Sequence, residues 1–303
     1  MKSRMKFFIV FLLLFFLPLF SMDLKKFLED VKGIQDNVLY FTSLDGTKLA
    51  YRVVSPPSPK AILIFVHGIT SYGKYYLPFA YKLSEKGIKV YLPDVRGHGN
   101  SQGKRGDSPN TATIVQDMGL FYQMVLKENP PIPIFLGGHS MGASLTVKYV
   151  HELKLSPSGL VLVAGGLPVS RISSKSEKLL RLKTLSRTFQ FIAPIFPHMR
   201  IISFEFPIKV DDPLIVSNYS YAFFRAVFPT DMDHIWEGLE LPILAIIGDK
   251  DEFFGKEDVE QAFLKHKKDN RVFVMLEDTD HLDVLEKSVK YIIEWILREE
   301  NGL

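Results

Sequence analysis

The stretch that decides the fold is Gly138-His139-Ser140-Met141-Gly142. It follows a short apolar run, 132–136, that predicts a buried strand, and it precedes 143–153, whose pattern predicts a helix. A strand, a Gly-x-Ser-x-Gly turn and a helix form a nucleophile elbow, in which the serine hydroxyl stands clear of the backbone. We therefore predict that Ser140 is a nucleophile, and that Gly138 and Gly142 give the turn the space it needs.

The start of the predicted helix also indicates how negative charge would be stabilised beside Ser140. The backbone N–H of Met141 and the helix N-terminus face the position where an oxyanion would form during attack on a carbonyl group. A serine nucleophile further needs a base, and the base needs an acid that orients it. The sequence therefore has to supply a histidine and a carboxylate near the same edge of the sheet.

Eight histidines compete for the role of base. Seven of them lie in turns, in predicted helices, in the elbow itself or in the segment 168–238. They are His67, His98, His139, His151, His198, His234 and His266. His67 and His98 are expected to be hydrogen-bonded supports, and His151 and His266 to face solvent from their helices. His281 alone follows the last predicted strand, and α/β sheets build their sites at strand carboxyl ends. We predict that His281 is the base.

The predicted strand 243–247 ends in two candidates for the acid, Asp249 and Asp251. Asp251 lies further into the loop and has more reach toward His281, so we favour it. Asp249 is the alternative, and the role otherwise expected for it is to cap a turn, as aspartate often does.

Predicted strands and helices alternate along most of the chain, which favours an α/β fold with a doubly wound, mostly parallel sheet. A hairpin around Asp45-Gly46 adds an antiparallel strand at one edge. Residues 168–238 interrupt this alternation with many aromatics, several prolines and no clear strand, so we predict an inserted helical cap there. Within the cap, apolar residues at helical spacing over 175–192 predict an amphipathic helix, which either packs on the core or faces a membrane.

The N-terminus carries the excess charge of the chain. The net charge is +3, and three basic residues precede residue 7 with no acid among them, so the remainder is near neutral and nucleic acid is not an expected partner. Residues 7–20 form an uninterrupted apolar run, which is typical of a secretory signal and shorter than the roughly 20 residues of a bilayer span. We predict export through residues 1–22, either as a cleaved signal peptide or as an uncleaved membrane anchor. A buried N-terminal core helix is the alternative.

These motifs resemble the monoglyceride lipase and lysophospholipase-like branch of the α/β-hydrolase superfamily, from about residue 37 to 299. The resemblance rests on the elbow and on these positions: His67-Gly68, Asp94, Gly97-His98-Gly99, Ser101, Asp212-Pro213-Leu214, Gly248, Asp251 and His281. It implies an α/β-hydrolase domain over 23–303 with the cap at about 168–238. It also implies an oxyanion hole formed by the N–H groups of Ile69 and Met141, and it matches Asp251 to the family acid in its Gly-x-x-Asp turn.

The resemblance implies hydrolysis of a carboxylic ester, a lipid such as monoacylglycerol or lysophospholipid, through an acyl-enzyme. This chemistry uses Ser140, His281 and Asp251 and implies no metal and no cofactor. Contact with a membrane surface is expected for a lipid substrate. The alternatives are a short-chain carboxylesterase, another reaction of the same triad such as peptide cleavage or acyl transfer, and a non-catalytic ligand receptor. Iminopeptidase relatives usually carry tryptophan where this chain has Met141, which disfavours peptide cleavage.

Overall fold

Strands and helices alternate in the computed structural model, which describes residues 20–169, 181–184, 193–205 and 210–300. Its strands are β1 (Leu39–Thr42), β2 (Lys48–Val54), β3 (Ala61–Val66), β4 (Ile88–Pro93), β5 (Ile134–His139), β6 (Gly159–Val163), β7 (Arg181–Thr184), β8 (Arg200–Glu205), β9 (Asn218–Ser220), β10 (Ile243–Gly248) and β11 (Arg271–Leu276). Its helices are α1 (Phe20–Glu29), α2 (Leu77–Ser84), α3 (Thr113–Glu128), α4 (Met141–Glu152), α5 (Tyr221–Val227), α6 (Met232–Gly238), α7 (Lys256–Lys265) and α8 (Asp283–Glu300), with a 3₁₀ turn at Gly73–Tyr76 before α2.

The central sheet has eight strands within these ranges, in the order β1-β2-β4-β3-β5-β6-β10-β11. β2 pairs antiparallel with both β1 and β4, and the other neighbouring pairs are parallel. Parallel neighbours need a crossover between them, and helices supply it on both faces. The predicted doubly wound, mostly parallel sheet with an antiparallel edge is therefore confirmed.

The central strand β3 shows how the sheet is buried on both faces. All six of its residues are buried, as its continuous aliphatic run predicts. Because side chains alternate along a strand, Ile62 and Ile64 pack in the core on the α3 and α4 side, while Leu63 and Phe65 pack on the α2 and α8 side. This burial fixes the strand register and therefore the position of every loop at the carboxyl edge.

The loop after β4 is held by the buried carboxylate of Asp94. Its Oδ1 accepts hydrogen bonds from Arg52 Nη1 and from the Gly73 amide, both at 2.7 Å. Its Oδ2 accepts a bond from the Asn100 amide at 2.8 Å. A buried carboxylate needs such partners because desolvation would otherwise be costly. Asp94 thus ties the segments that follow β3 and β4 to strand β2.

The cap region departs from the prediction of a helical insertion. Its described part contains an antiparallel sheet of β7, β8 and β9 together with α5 and α6. The prediction of an amphipathic helix over 175–192 is wrong at Arg181–Thr184, which is a strand paired with β8. Residues 175–180 and 185–192 lie outside the described residues. Charged residues alternate with uncharged ones in the short run Arg181–Thr184, and pairing with a neighbouring strand outweighs a weak helical pattern.

The prediction that His266 faces solvent is also wrong. His266 is 5% exposed, and its Nε2 lies 2.7 Å from Asp233 Oδ1. The end of α7 is packed against α6 at this point, and Trp236 lies beside the imidazole. The pattern of α7 alone could not show this contact, because it depends on Asp233 of α6, which lies 33 residues earlier in the chain than His266.

None of the described helices combines the length and apolarity that crossing a bilayer requires. Residues 1–19 of the predicted N-terminal signal lie outside the described range, which begins at Phe20 in α1. The expectations on export and anchoring therefore stay predictions.

Candidate active site

The predicted elbow is present between β5 and α4. Ser140 lies between the strand and the helix with φ 55° and ψ −117°, a conformation that non-glycine residues rarely adopt. A side chain on Gly142 would overlap the carbonyl group of Val66, and one on Gly138 would overlap the backbone of Gly142. The two glycines therefore let the turn close against β3. Strain of roughly 1–3 kcal/mol at Ser140 persists because the surrounding structure holds it in place.

His281 and Asp251 are brought together at the ends of β10 and β11. His281 Nδ1 lies 2.8 Å from Asp251 Oδ2, and both side chains are almost completely buried. Asp251 Oδ1 accepts hydrogen bonds from the amides of Phe253 at 2.9 Å and Phe254 at 3.1 Å. These bonds fix the carboxylate, which in turn fixes the imidazole ring.

Asp249, the alternative acid, does not contact His281 among the described hydrogen bonds. Its Oδ1 accepts a hydrogen bond from the Thr279 amide at 3.2 Å, across the turn between β11 and His281. It therefore has the turn-supporting role that the sequence left open for it, and the structure places Asp251 beside the imidazole.

Opposing effects set the protonation of His281. Burial lowers its pKa, but the charge and hydrogen bond of Asp251 raise it by more, and Glu252 and Asp280 add to the rise. The net pKa lies above the ordinary value of histidine. The carboxylate also selects the tautomer with the proton on Nδ1, which leaves Nε2 as the basic nitrogen.

The backbone of His281 is held from two sides. Its amide donates to Glu252 Oε2 at 3.2 Å, and its carbonyl lies 2.8 Å from His139 Nε2. Burial lowers the pKa of His139 well below its usual range, so the ring is neutral. Since only Nε2–H can donate to a carbonyl group, His139 Nδ1 accepts, and the Tyr76 hydroxyl at 3.0 Å donates to it.

A chain of hydrogen bonds therefore connects the loop after β3 with the loop that carries the imidazole. The Gly68 amide donates to the Tyr76 hydroxyl at 2.8 Å, Tyr76 donates to His139, and His139 donates to the carbonyl of His281. Sequence analysis did not assign these roles to Tyr76 and His139. The tyrosine follows no motif, and the position of His139 within the elbow gave no sign of its partners.

The loop after β3 places Ile69 at the cavity that Ser140 also lines. The amides on either side are taken up, because Gly68 donates to Tyr76 and Thr70 donates to the Tyr219 hydroxyl at 2.8 Å. No acceptor in the described part of the chain bonds the Ile69 amide. The second amide predicted for an oxyanion hole, that of Met141, belongs to the first turn of α4, whose amides have no intrahelical acceptor.

The supporting roles expected for His67 and His98 are observed. His67 Nδ1 donates to the Gly68 carbonyl at 2.8 Å, and its Nε2 accepts from the Val95 amide at 3.0 Å. His98 Nε2 lies 3.1 Å from the Tyr219 hydroxyl, which connects the core to the cap strand β9. Both rings are buried, and both shape the loop that carries Ile69.

Ser140, His281, Ile69 and Met141 line one cavity of about 240 Å³. Its other walls are aromatic and aliphatic, with contributions from three parts of the chain. They are Leu24, Phe27 and Leu28 of α1, the cap residues Ile202, Phe204, Ile215, Phe224 and Phe228, and the core residues Tyr75, Tyr76, Phe253, Phe254 and Leu282. No Asp, Glu, Lys or Arg is among the described residues that line it. A cavity with this lining suits an apolar ligand around a few convergent polar groups.

The model of the family described as "Serine aminopeptidase, S33" matches residues 57–287, well over half of the chain. The chain belongs to this family. The match identifies the S33-family chain as a hydrolase. The matched range begins between β2 and β3 and ends in the first turns of α8. It therefore spans the sheet from β3 onward, the elbow and the base loop.

Curated relatives of this S33-family chain include the monoglyceride lipases of Mus musculus and Rattus norvegicus. They are 25% and 26% identical over 276 and 275 residues, and each alignment covers 88% of the relative and 87% or 86% of this chain. The resemblance to the monoglyceride lipase branch that the motifs indicated is confirmed.

Solved structures share the fold of the S33-family chain. A soluble variant of the Saccharomyces cerevisiae monoglyceride lipase, in complex with a substrate analogue, has a TM-score of 0.69 at 18% identity and covers 89% of this chain and 97% of its own. A thermostable carboxyl esterase from Bacillus coagulans has a TM-score of 0.67 at 19% identity and covers 87% of this chain and 98% of its own. These likenesses establish the α/β-hydrolase fold.

Proposed function

We propose that this protein is a serine esterase that hydrolyses lipid esters, monoacylglycerol or lysophospholipid, through an acyl-enzyme. The observation that carries the proposal is the shared cavity, in which the elbow serine and the His281–Asp251 pair meet an apolar wall without a charged residue among its described members. The relatives named monoglyceride lipase and carboxyl esterase support the same class of substrate.

In the proposed reaction, Ser140 Oγ attacks the carbonyl carbon of the ester while His281 Nε2 takes the hydroxyl proton. The amides of Ile69 and Met141 donate hydrogen bonds to the oxyanion that develops on the carbonyl oxygen. His281 then gives the proton to the alcohol as the ester bond breaks, which leaves an acyl group on Ser140. Water, deprotonated by the same imidazole, releases the carboxylic acid and restores the serine.

The lining of the cavity favours an ester with a long apolar part. A glycerol or phosphate headgroup needs hydrogen-bond partners, whereas an acyl chain gains from leaving water, by about 0.8 kcal/mol for each buried methylene. Leu, Ile, Phe and Met side chains make up most of the described wall. The described wall also includes the hydroxyl-bearing side chains of Thr70, Ser71 and Ser144.

Peptide cleavage is the second candidate, because the family description names a serine aminopeptidase. An aminopeptidase has to bind the free α-ammonium group of its substrate, and a buried cation needs a carboxylate partner. None of the described residues lining the cavity provides one. This lining favours the ester over the amino-terminal peptide.

A substrate panel separates the two candidates. Monoacylglycerols, lysophospholipids, p-nitrophenyl esters and aminoacyl p-nitroanilides should be compared with the wild type and with Ser140→Ala as the control. We expect turnover of the esters, lost in Ser140→Ala, and no appreciable turnover of the anilides. A preference for the anilides would replace the ester proposal with the peptidase.

We also propose that residues 1–22 direct export and leave the enzyme outside the cytoplasm, either released or held at the membrane. The basic start and the apolar run over 7–20 support this. Fractionation of the host should find the full chain outside the cytoplasm and a chain lacking residues 1–19 inside it. Recovery of both from the cytoplasm would reject the proposal.

A further inference from the structure

Helix α1 lies outside the family match but contributes to the cavity around Ser140. The match starts at residue 57, whereas α1 ends at Glu29. Leu24, Phe27 and Leu28 nevertheless line the cavity. Positions spaced by three and four residues share one face of a helix, so one side of α1 is directed at the site.

The apolar face of α1 packs on the tyrosines that border the site. The Phe27 ring stacks on Tyr75 with centroids 5.4 Å apart and meets the edge of Tyr76 at 6.0 Å. Leu24 is buried, and Phe27 and Leu28 are half-buried. The Tyr76 ring also lies 5.9 Å from the ring of His139 in the elbow, and its hydroxyl accepts a hydrogen bond from the Gly68 amide, so Tyr76 contacts both α1 and the elbow.

One ion pair connects α1 to α8, and its carboxylate, Glu286, also pairs with Lys82 of α2. Lys26 Nζ lies 2.7 Å from Asp30 Oδ2 and 3.1 Å from Glu286 Oε2, and Lys82 of α2 lies 2.7 Å from Glu286 Oε1. Hydrogen bonds from Lys82 and Lys26 lower the pKa of Glu286 to about 2. Each pair is exposed and individually weak, so the pairs orient the helix while the apolar face provides the contact.

We propose that this face of α1 is part of the acyl-chain site of the enzyme. Leu24, Phe27 and Leu28 then contact the distal part of the acyl chain and set its preferred length. The inference rests on the proposed ester hydrolysis. An acyl chain fits this wall because the three side chains offer no hydrogen-bond partner, which a headgroup would need. Because the Tyr76 ring contacts Phe27 of α1 on one side and His139 of the elbow on another, we expect a short acyl chain to end before it reaches the helix.

A substitution that places a bulky side chain on the apolar face of α1 tests the proposal. In the full chain, Leu24→Trp should be compared with the wild type for kcat/KM on p-nitrophenyl butyrate and p-nitrophenyl palmitate, which share their leaving group. We expect the ratio of palmitate to butyrate hydrolysis to fall by about tenfold or more, because several methylenes lose their burial. Butyrate hydrolysis should fall much less than palmitate hydrolysis, because a short acyl chain makes few contacts with this wall.

A matched control and a milder variant guard against misfolding. Lys25→Trp places the same indole on the exposed side of α1, where Lys25 only pairs with Glu29 at 3.8 Å, and it should leave the ratio unchanged. Leu28→Ala removes contacts at a half-buried position and should lower the ratio severalfold with little change in Tm.

The outcomes separate the two proposals. If the wild type hydrolyses neither ester nor any lipid ester, the proposed function is wrong and the acyl site with it. If the wild type hydrolyses both esters but Leu24→Trp and Leu28→Ala leave the ratio unchanged, or lower both rates equally, α1 is a structural helix and the acyl-site inference alone is overturned.

Discussion

The two sides of the cavity are built in different ways. The chemical side, which carries Ser140 and His281, is fixed by directed hydrogen bonds between loops at the carboxyl edge of the sheet. The wall from α1 and the cap consists of aliphatic and aromatic side chains. Hydrogen bonds weaken steeply with misalignment, whereas apolar contact is nearly independent of direction.

We therefore expect the chemical side to determine the reaction and the apolar wall to determine which substrate is preferred. A change on the chemical side should reduce turnover of every ester alike, because it disturbs groups that all substrates share. A change in the apolar wall should reduce turnover of an ester in proportion to the length of its acyl chain that contacts the wall. The predictions below challenge this division, starting from the largest effect.

Asp251→Asn should give the largest loss among the residues that surround the base. Loss of the charge beside Nδ1 disturbs the tautomer of His281, so turnover should fall on the order of 10³ to 10⁴ for short and long esters alike. The matched change Asp249→Asn should cost only severalfold, because its carboxylate supports a turn through the Thr279 amide. Steady-state kinetics on both esters would measure this. The reverse ranking would move the acid to Asp249.

Tyr76→Phe should lower kcat by about tenfold while KM changes little. The substitution keeps the ring that packs against Phe27 but removes the hydroxyl that joins Gly68 to His139. Loss of one such buried link leaves its partners unsatisfied. Tyr91→Phe is the control, since it also removes a hydroxyl, one that bonds Asn129 away from the cavity. Equal effects of the two variants would show that the link through Tyr76 is only structural.

The pH dependence of kcat/KM reports the base directly. His281 has to be neutral to accept a proton, and Asp251 holds its pKa above the ordinary value of about 6.5 despite the opposing effect of burial. Activity should therefore rise with pH through a midpoint above that value, with the same midpoint for short and long esters. A profile that stays flat from about pH 5 to pH 8, with chemistry rate-limiting, would contradict the role of His281.

Glu252→Gln should produce the smallest effect, a change in stability with pH. Burial raises the pKa of Glu252 to about 7, so the folded state holds a proton that the unfolded state has lost. The free energy of unfolding of the wild type should therefore decrease as pH rises from about 4.5 to 7. A glutamine side chain can still accept the hydrogen bond from the His281 amide, but it does not gain or lose a proton in this pH range. The Tm of the variant relative to wild type should increase from pH 5 to pH 8. A constant difference in Tm would show that burial does not raise the pKa of Glu252.

Most of the chemical side was predictable from sequence because its signals are local. The elbow requires glycines at fixed positions, and a histidine after the last strand can only lie at the carboxyl edge of a parallel sheet. Reach toward His281 and the match to the family's Gly-x-x-Asp turn both favour Asp251 over Asp249, and the structure places the hydrogen bond accordingly.

The apolar wall was much less accessible to sequence reasoning. The apolar spacing over 175–192 predicts a helix at Arg181–Thr184, but strand pairing with β8 determines the structure there. Nothing in the sequence of helix α1 shows that Leu24 and Phe27 line the cavity of Ser140. Such contacts join distant segments without a required residue type, so no local pattern encodes them.

Covalent labelling with a fluorophosphonate tests the central claim, that Ser140 is the nucleophile activated by His281, most directly. Intact mass and peptide mapping should show one adduct on Ser140 in the wild type. The adduct should be absent in Ser140→Ala and should form far more slowly in His281→Ala. An adduct at another residue, or labelling of Ser140→Ala at the wild-type rate, would contradict the account.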